Sequence, residues 1–352
     1  MPFFPFSLDV IDCLCYSFEN YTGGSNVNSL KVGVVGVGYL GQHHTRVYRE
    51  LHGVELCGVS DTDPERGRNV AEEYGTTYYP EYRDLLQSID AVSVAVPTYA
   101  HRQVAGDALA MGVHTLVEKP IAKTVTEADE LVRLAREKSV VLQVGHIERF
   151  NPAIIAINDL VSEPLFIETH RLAPFNPRGT DVPVVLDLMV HDLDIVLHFV
   201  QCPVLNIDAV GVPILTPAED IANARLEFEN GCIANLTASR VSREKQRKIR
   251  LFQKDSYISV DCLERTVECY WHTRDENGSP QIERRDPEVL QDDPLELELK
   301  SFIDSIINDS RPSVTGEDGR NALDIAHQIM DRIDFRKHLL KQRGIVPLGM
   351  QE

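Results

Sequence analysis

The chain has 352 residues, 43% of them hydrophobic and 25% charged, with a formal net charge of −19. That length accommodates two domains, each with its own core. The acidic surplus speaks against a nucleic-acid backbone as partner, and no apolar run reaches the length of a membrane span. Seven cysteines, without a CxxC pair or a zinc-like cluster, suit a reducing cytoplasm and argue against zinc-dependent chemistry.

Residues 1–29 begin aromatic and proline-rich and then carry Asp9, Asp12 and Glu19. A basic leader is missing and acidic residues break the apolar stretch. The segment is therefore read as an extension, expected to be disordered, rather than as a signal peptide.

From residue 30 to 150 short apolar runs alternate with helical patterns. Strands are predicted at 31–37, 56–60, 91–96, 115–118 and 140–144. The clearest helix spans 126–138, with Ala128, Leu131, Leu134 and Ala135 on one face and Thr124 and Glu127 at capping-box spacing before it. This alternation predicts an α/β domain with a parallel, doubly wound sheet, its ligand lying beyond the carboxyl ends of the strands.

Between the first strand and the first helix stands Gly36-Val37-Gly38-Tyr39-Leu40-Gly41, and Asp61 ends the second strand. The first glycine permits a tight turn, the second lets backbone approach a pyrophosphate, and the third lets helix pack on strand. The helix amino terminus then presents N–H groups and a positive dipole end. In this context the motif predicts a dinucleotide-binding Rossmann domain over 30–150. Asp61 is placed to accept hydrogen bonds from the adenosine ribose and would repel a 2′-phosphate, so NAD is expected ahead of NADP. Arg66 and Arg68 follow Asp63-Pro64 and are read as solvated charges on the next helix.

After Asn151-Pro152 strand-like runs follow one another at 165–171, 205–212, 222–229, 232–239, 248–253, 257–260 and 266–271. Asn230-Gly231 marks a hairpin between two of them. Residues 151–352 are thus expected to form a C-terminal α+β domain with a large, mostly antiparallel open sheet. Residues 280–294, rich in charge and proline, read as a surface loop. Two amphipathic helices close the chain, one with Leu295, Leu299, Phe302 and Ile306 on a face, the other with Ala322, Ile325, Ile329 and Ile333. The last helix is expected to pack back on the first domain.

One helix, 184–200, interrupts the second region. It is mostly apolar, yet Asp187, His191, Asp194 and His198 recur at i, i+4, i+7 and i+11 and share a stripe. Such a stripe must meet polar partners, solvent or a ligand. Asp192 lies off it and is expected to bond backbone. No metal site is expected, because no further ligand clusters with His191. The other candidate is Glu118-Lys119-Pro120, directly after a strand of the first domain. A lysine there, near an oxidised nicotinamide, is expected to have a lowered pKa, to orient a substrate hydroxyl and to help move its proton. Pro120 would fix the turn, following a cis peptide.

Together these pieces resemble the glucose–fructose oxidoreductase / inositol dehydrogenase / MocA (Gfo/Idh/MocA) family, from residue 30 to about 340. The resemblance rests on the glycine motif, Val96-Pro97-Thr98-Tyr99-Ala100-His101, Glu118-Lys119-Pro120, Asp187-x-x-x-His191 and Thr315-Gly316-Glu317-Asp318-Gly319-Arg320. It implies hydride transfer between NAD(P) and a sugar or cyclitol carbinol, in the cytoplasm, by a homodimer or homotetramer built through the C-terminal sheet. It makes Lys119, Asp187 and His191 the catalytic set. His191 is then the general base, Lys119 holds the reacting oxygen, and Asp187 orients the site. It assigns cofactor contacts to Gly36, Gly38, Tyr39, Leu40, Gly41, Asp61, Pro97, Thr98, His101, Glu118 and Lys119.

Val144-Gly145-His146-Ile147-Glu148-Arg149-Phe150-Asn151-Pro152 and His170-Arg171-Leu172-Ala173-Pro174-Phe175 look like the nucleotide-sugar branch. That branch includes the UDP-N-acetylglucosamine 3-dehydrogenases, which make a 3-keto sugar for later amination toward a lipid A precursor. Arg149, Arg171 and Arg178 are then expected to edge the cleft as forks for the pyrophosphate, with Asp187 and His191 on the sugar. Each arginine has the alternative of pairing with a carboxylate. Two other readings stay open. One is a dehydrogenase of a free sugar, an inositol or a dihydrodiol. The other is an NAD(P)-binding sensor without turnover.

Overall fold

The computed structural model describes residues 29–176 and 182–343. The expected extension, Ser29 apart, and Arg178 lie outside the described residues. The first sheet has six strands, β1 (Leu30–Val35), β2 (Val54–Ser60), β3 (Thr77–Tyr79), β4 (Ala91–Val94), β5 (His114–Glu118) and β6 (Leu142–Gly145), in the order β3-β2-β1-β4-β5-β6. Every neighbouring pair is parallel. The crossovers carry α1 (Tyr39–Glu50), α2 (Pro64–Tyr74), α3 (Tyr82–Leu86), α4 (Thr98–Ala110) and α5 (Val125–Lys138). Helices on both faces explain why β4 reads as an unbroken buried run. The predicted capping box forms, with Thr124 and Glu127 bonding each other's backbone. β1 ends earlier than predicted because Gly36 turns the chain at φ +86°. β3 escapes prediction because three edge residues carry no readable period. Strand order reverses between β1 and β4, so the crevice for a ligand opens there, at the carboxyl edge.

The second sheet has eight strands, from α6 (Pro152–Ile155) onward: β7 (Phe166–Leu172), β8 (Val204–Val212), β9 (Ile221–Phe228), β10 (Ile233–Ser239), β11 (Gln246–Phe252), β12 (Ser256–Asp261), β13 (Thr266–Arg274) and β14 (Pro280–Arg284). Their order is β14-β13-β12-β11-β7-β10-β9-β8, antiparallel throughout except β7 beside β10. β14 corrects the loop expected at 280–294. It is an edge strand exposed on both faces, which lets it be polar and start with proline, and so it reads as loop. Among the described residues no helix is long and apolar enough to cross a membrane.

Three helices bring the sheets together. α7 (Val190–Val200) packs Leu193, Val196 and Phe199 into the core of the second sheet. α8 (Pro294–Ile307) lies on the first sheet instead, burying Leu299 and Phe302 with Val32 and Tyr48. α9 (Gly316–Gln342) serves both. Ile325, Ile329 and Ile333 join the second core, while Leu323 joins the first. Gly319 of α9 has no room for a side chain, since a Cβ there would lie 2.6 Å from Val144 of β6. Arg320–Asp129 and Arg136–Glu317 ion pairs clamp the same contact with α5 from outside.

Candidate active site

The glycine motif divides its labour. A Cβ on Gly41 would fall 1.8 Å from the Gly36 carbonyl oxygen, so that glycine is demanded by packing of α1 on β1. At Gly38 a Cβ would meet nothing within 4 Å, and the space in front of α1 is open. No side chain caps that helix end, where Tyr39 and Leu40 stand exposed. Asp61 binds the loop from the other side, accepting from the main-chain N–H of Val37 and of Asp63, both at 2.8 Å. Arg66 grips the same carboxylate with a fork at 3.1 and 2.7 Å, so it is not the free surface charge expected. Burial works against the Asp61 charge, but Arg66 and the two N–H groups together hold its carboxyl below the usual range. Arg68 lies over the Tyr78 ring instead. An uncapped helix end, an open glycine and a charged carboxylate at the end of β2 fit a dinucleotide's pyrophosphate and ribose.

Other residues expected to touch the cofactor divide. Pro97 and Thr98 stand at the carboxyl end of β4, where α4 begins. His101 is buried. Its ring nitrogens lie 2.8 Å from the carbonyl oxygens of Val96 and Pro120, so it joins two loops and does not face the crevice. Glu118 points inward as well, with Oε1 3.1 Å from His44 Nε2.

Lys119 does enter the cleft between the sheets. The Lys119–Pro120 bond is cis. Lys119 Nζ donates to the main-chain oxygen of Asp187 at 2.9 Å, and Asp187 Oδ1 lies 3.7 Å from it. Burial pushes the ammonium below its ordinary value, opposed by Asp187 and Glu118. Asp187 sits in a π-helical turn, Val185–Met189, that runs directly into α7. His191 follows on the next turn. Burial holds its imidazole well below the ordinary value, and the Lys119 and Arg171 cations act in the same direction. Its Nδ1 has no protein partner. An ammonium, a carboxylate and a neutral imidazole thus meet at the sheet edge where the cofactor cradle opens. That set can take a proton from a hydroxyl and steady the oxygen left behind.

The polar stripe does not stay together. Asp194 is 1% exposed and paired with Arg149 at 2.8 Å. His198 lies farther along, with burial pushing it down to about 4. Asp192 does not bond backbone as expected. It takes the Arg171 fork at 3.0 and 2.6 Å, and Arg171 reaches Glu148 at 3.0 Å as well. Arg149 and Arg171 are therefore buried and spent on carboxylates, the alternative to the pyrophosphate forks expected of them. Asp192 and Asp194, two residues apart on one helix, draw both guanidinium groups inward, where a buried charge needs a partner.

His146 was missed. It follows β6 as Lys119 follows β5, it is 1% exposed, and neither ring nitrogen has a protein partner. Its ring stands edge-on to His191 with centroids 6.5 Å apart. The rule that strand ends of this sheet carry the site could have found it. A cavity of about 520 Å³ adjoins Asp187, lined also by Phe175, Asn176, Leu188, Arg240 and Lys245. A larger one, about 790 Å³, opens beside His198, Gln201, Arg311 and Gln328, and neither Lys119 nor His191 lines it.

Residues 30–146 match the model of the oxidoreductase family with an NAD-binding Rossmann fold, and 170–259 match the GFO/IDH/MocA C-terminal domain. A UDP-N-acetylglucosamine 3-dehydrogenase of Acidithiobacillus ferrooxidans is 38% identical over 302 residues, 85% of this chain and 96% of the relative. The chain belongs to the Gfo/Idh/MocA family. As a Gfo/Idh/MocA oxidoreductase it is a dehydrogenase acting on CH–OH groups. The solved structure of the Acidithiobacillus enzyme superposes with a TM-score of 0.82 at 37% identity, covering 87% of this chain and 98% of that one. A myo-inositol 2-dehydrogenase of Thermotoga maritima is 24% identical over 318 residues, 84% of this chain and 93% of the relative. A levoglucosan dehydrogenase solved with NADH shares the fold at 17% identity and a TM-score of 0.77, covering 87% of this chain and 97% of that one.

Proposed function

We propose that this enzyme oxidises the 3-hydroxyl of UDP-N-acetylglucosamine, or of a closely related UDP-sugar, with NAD as hydride acceptor. The observation that carries the reading is the meeting of Lys119, from the first sheet, with Asp187 and His191, from the helix over the second. The 38% identity to a UDP-N-acetylglucosamine 3-dehydrogenase supports the choice of sugar. Asp61, held charged at the end of β2, supports NAD over NADP, because a 2′-phosphate there would meet like charge.

With its pyrophosphate at the glycine turn, the dinucleotide would supply the hydride acceptor through its nicotinamide. The chain's own residues do the rest. His191, neutral at physiological pH, removes the hydroxyl proton through the ring nitrogen facing the sugar. The Lys119 ammonium donates to the same oxygen and steadies its developing charge, while Asp187 holds Lys119 in place. His146, edge-on to His191, limits the ring's rotation. The nucleotide lies in the cavity beside Asp187, with Lys245 toward the pyrophosphate and Phe175 toward the base. A volume of about 520 Å³ suits part of such a ligand. Self-association uses the outer face of the second sheet, which leaves Val210, Val212 and Phe252 exposed.

Incubation with NAD and a panel of UDP-sugars, free sugars and inositols, followed by the absorbance of reduced nicotinamide, tests the reading. Turnover with UDP-N-acetylglucosamine, and a Lys245→Ala variant whose KM rises on the order of 10-fold with kcat held, supports it. Equal turnover of neutral sugars overturns the nucleotide, and NAD binding without any turnover overturns the enzyme.

A further inference from the structure

Behind the lysine motif lies a second group of ionisable side chains. His44 of α1, Glu118 at the end of β5 and Glu298 of α8 each offer one atom, and all three atoms lie within 4.8 Å of one another. His44 and Glu298 are fully buried and Glu118 is 9% exposed. His44 Nε2 contacts Glu118 at 3.1 Å, whereas His44 Nδ1 and both carboxyl oxygens of Glu298 have no protein hydrogen-bond partner. A buried polar atom left unpaired is costly, and here two residues of one close cluster each leave such atoms.

Their protonation follows from what surrounds them. Burial raises the Glu298 carboxyl well above its usual range, and the Glu118 and Asp194 charges raise it further. Tyr48 of α1 bonds Ser93 and is itself held above its usual range, so it offers no charge. From β6, Gln143 donates to the Glu298 main-chain oxygen, not to the carboxyl. Glu118 goes the other way. Burial opposes its charge, but the His44 contact and the nearby Lys119 hold it below the usual range. The group thus contains an acid with a proton to give, an imidazole with a bare nitrogen, and an anion.

We propose that Glu298 is a positioning residue whose carboxylic acid donates, through one enclosed water, to His44 Nδ1, so that His44 Nε2–H donates to Glu118 and keeps it an anion behind Lys119. One protonated acid then fixes the tautomer of one imidazole, and the imidazole fixes the charge of one carboxylate. Glu118 Oε2 accepts from the Lys119 main-chain N–H at 3.3 Å, which carries the arrangement to the catalytic turn. The same side chains suit a metal poorly. They offer three ligands where a buried zinc takes four, and among the described residues no further His, Cys, Asp or Glu joins them.

The kinetic part of this inference rests on the proposed role of Lys119, whereas the tautomer does not. Nitrogen NMR of the full chain with isotope-labelled histidine, assigned with His44→Gln, reads the tautomer directly. The expected His44 has a protonated Nε2 and a bare, hydrogen-bonded Nδ1. Glu298→Gln still has a proton to donate. It should keep that tautomer and hold turnover within about threefold, whereas Glu298→Met should lose the tautomer and lower kcat on the order of 10-fold, with KM for NAD unchanged. In Glu298→Met the basic limb of kcat should also move to lower pH, because Glu118 takes up a proton and withdraws support from the Lys119 ammonium. A His44 protonated on Nδ1, a Glu298→Gln variant as impaired as Glu298→Met, or a stoichiometric metal ion in the purified protein would overturn the proposal. A chain that turns over no sugar but shows the expected tautomer would defeat the functional reading and leave this one standing.

Discussion

The two halves of one helix stripe make the most useful comparison in the molecule. Asp187 and His191 belong to the π-helical turn and first turn of α7, Asp194 and His198 to the turns that follow. All four are polar groups on an apolar helix at the same spacing. They diverge because of what the fold brings to each. Asp194 pairs with Arg149 at 3.1 and 2.8 Å and is 1% exposed. His191 receives no protein partner at Nδ1 and shares its surroundings with a lysine from the other sheet. Polar spacing locates groups that need partners. Whether the protein itself supplies them separates scaffold from site.

Removing each half should therefore fail differently. The largest effect is expected at the open half. Lys119→Met should lower turnover by about 10²–10⁴-fold, the range of positioned acid–base groups, with the melting temperature and NAD affinity little changed. The closed half should show the opposite. Asp194→Ala strands the buried Arg149 charge and should cost about 3–5 kcal/mol in denaturant unfolding, while the protein that remains folded keeps its kcat. Asp61→Asn comes next. It should weaken NAD binding on the order of 10-fold by calorimetry, because the Arg66 fork and the turn lose their anchor together. The smallest effect belongs to His198. Burial brings its pKa to about 4 from 6.5, so the unfolded chain takes the proton first as pH falls. Its contribution is whole above 6.5 and shrinks as pH drops toward 4. A His198→Gln variant should flatten the decline of stability across that window, and an unchanged slope would assign the decline to other buried histidines.

Much of this was legible in the chain, for reasons that differ by element. The first sheet could be read because buried parallel strands are apolar runs and glycines mark where backbone meets backbone, as Gly41 does against Gly36. The hairpin at Asn230-Gly231 was legible from local chemistry, with Gly231 at φ +86°. β14 was not, because an edge strand exposed on both faces carries no pattern of burial. Lys119, Asp187 and His191 were legible from motif and resemblance. The fate of Arg149 and Arg171 was not, because Asp194 and Asp192 had no assigned direction until α7 was placed against β7 and the turn at Ile147–Phe150. His146 could have been read from its place directly after β6, whereas the unpaired surroundings of His146 and Glu298 could not. Their meaning lies in unpaired neighbours that only the three-dimensional fold brings together.

The central claim is that Lys119 and His191 act on one oxygen. Single-turnover hydride transfer in the wild type, Lys119→Met, His191→Asn and the double variant tests it most directly. Groups serving the same proton are not additive, so the double variant should be about as slow as the worse single one. If the two losses multiply, or if either single variant keeps wild-type turnover across pH, the two side chains do not share a reacting atom and the account is contradicted.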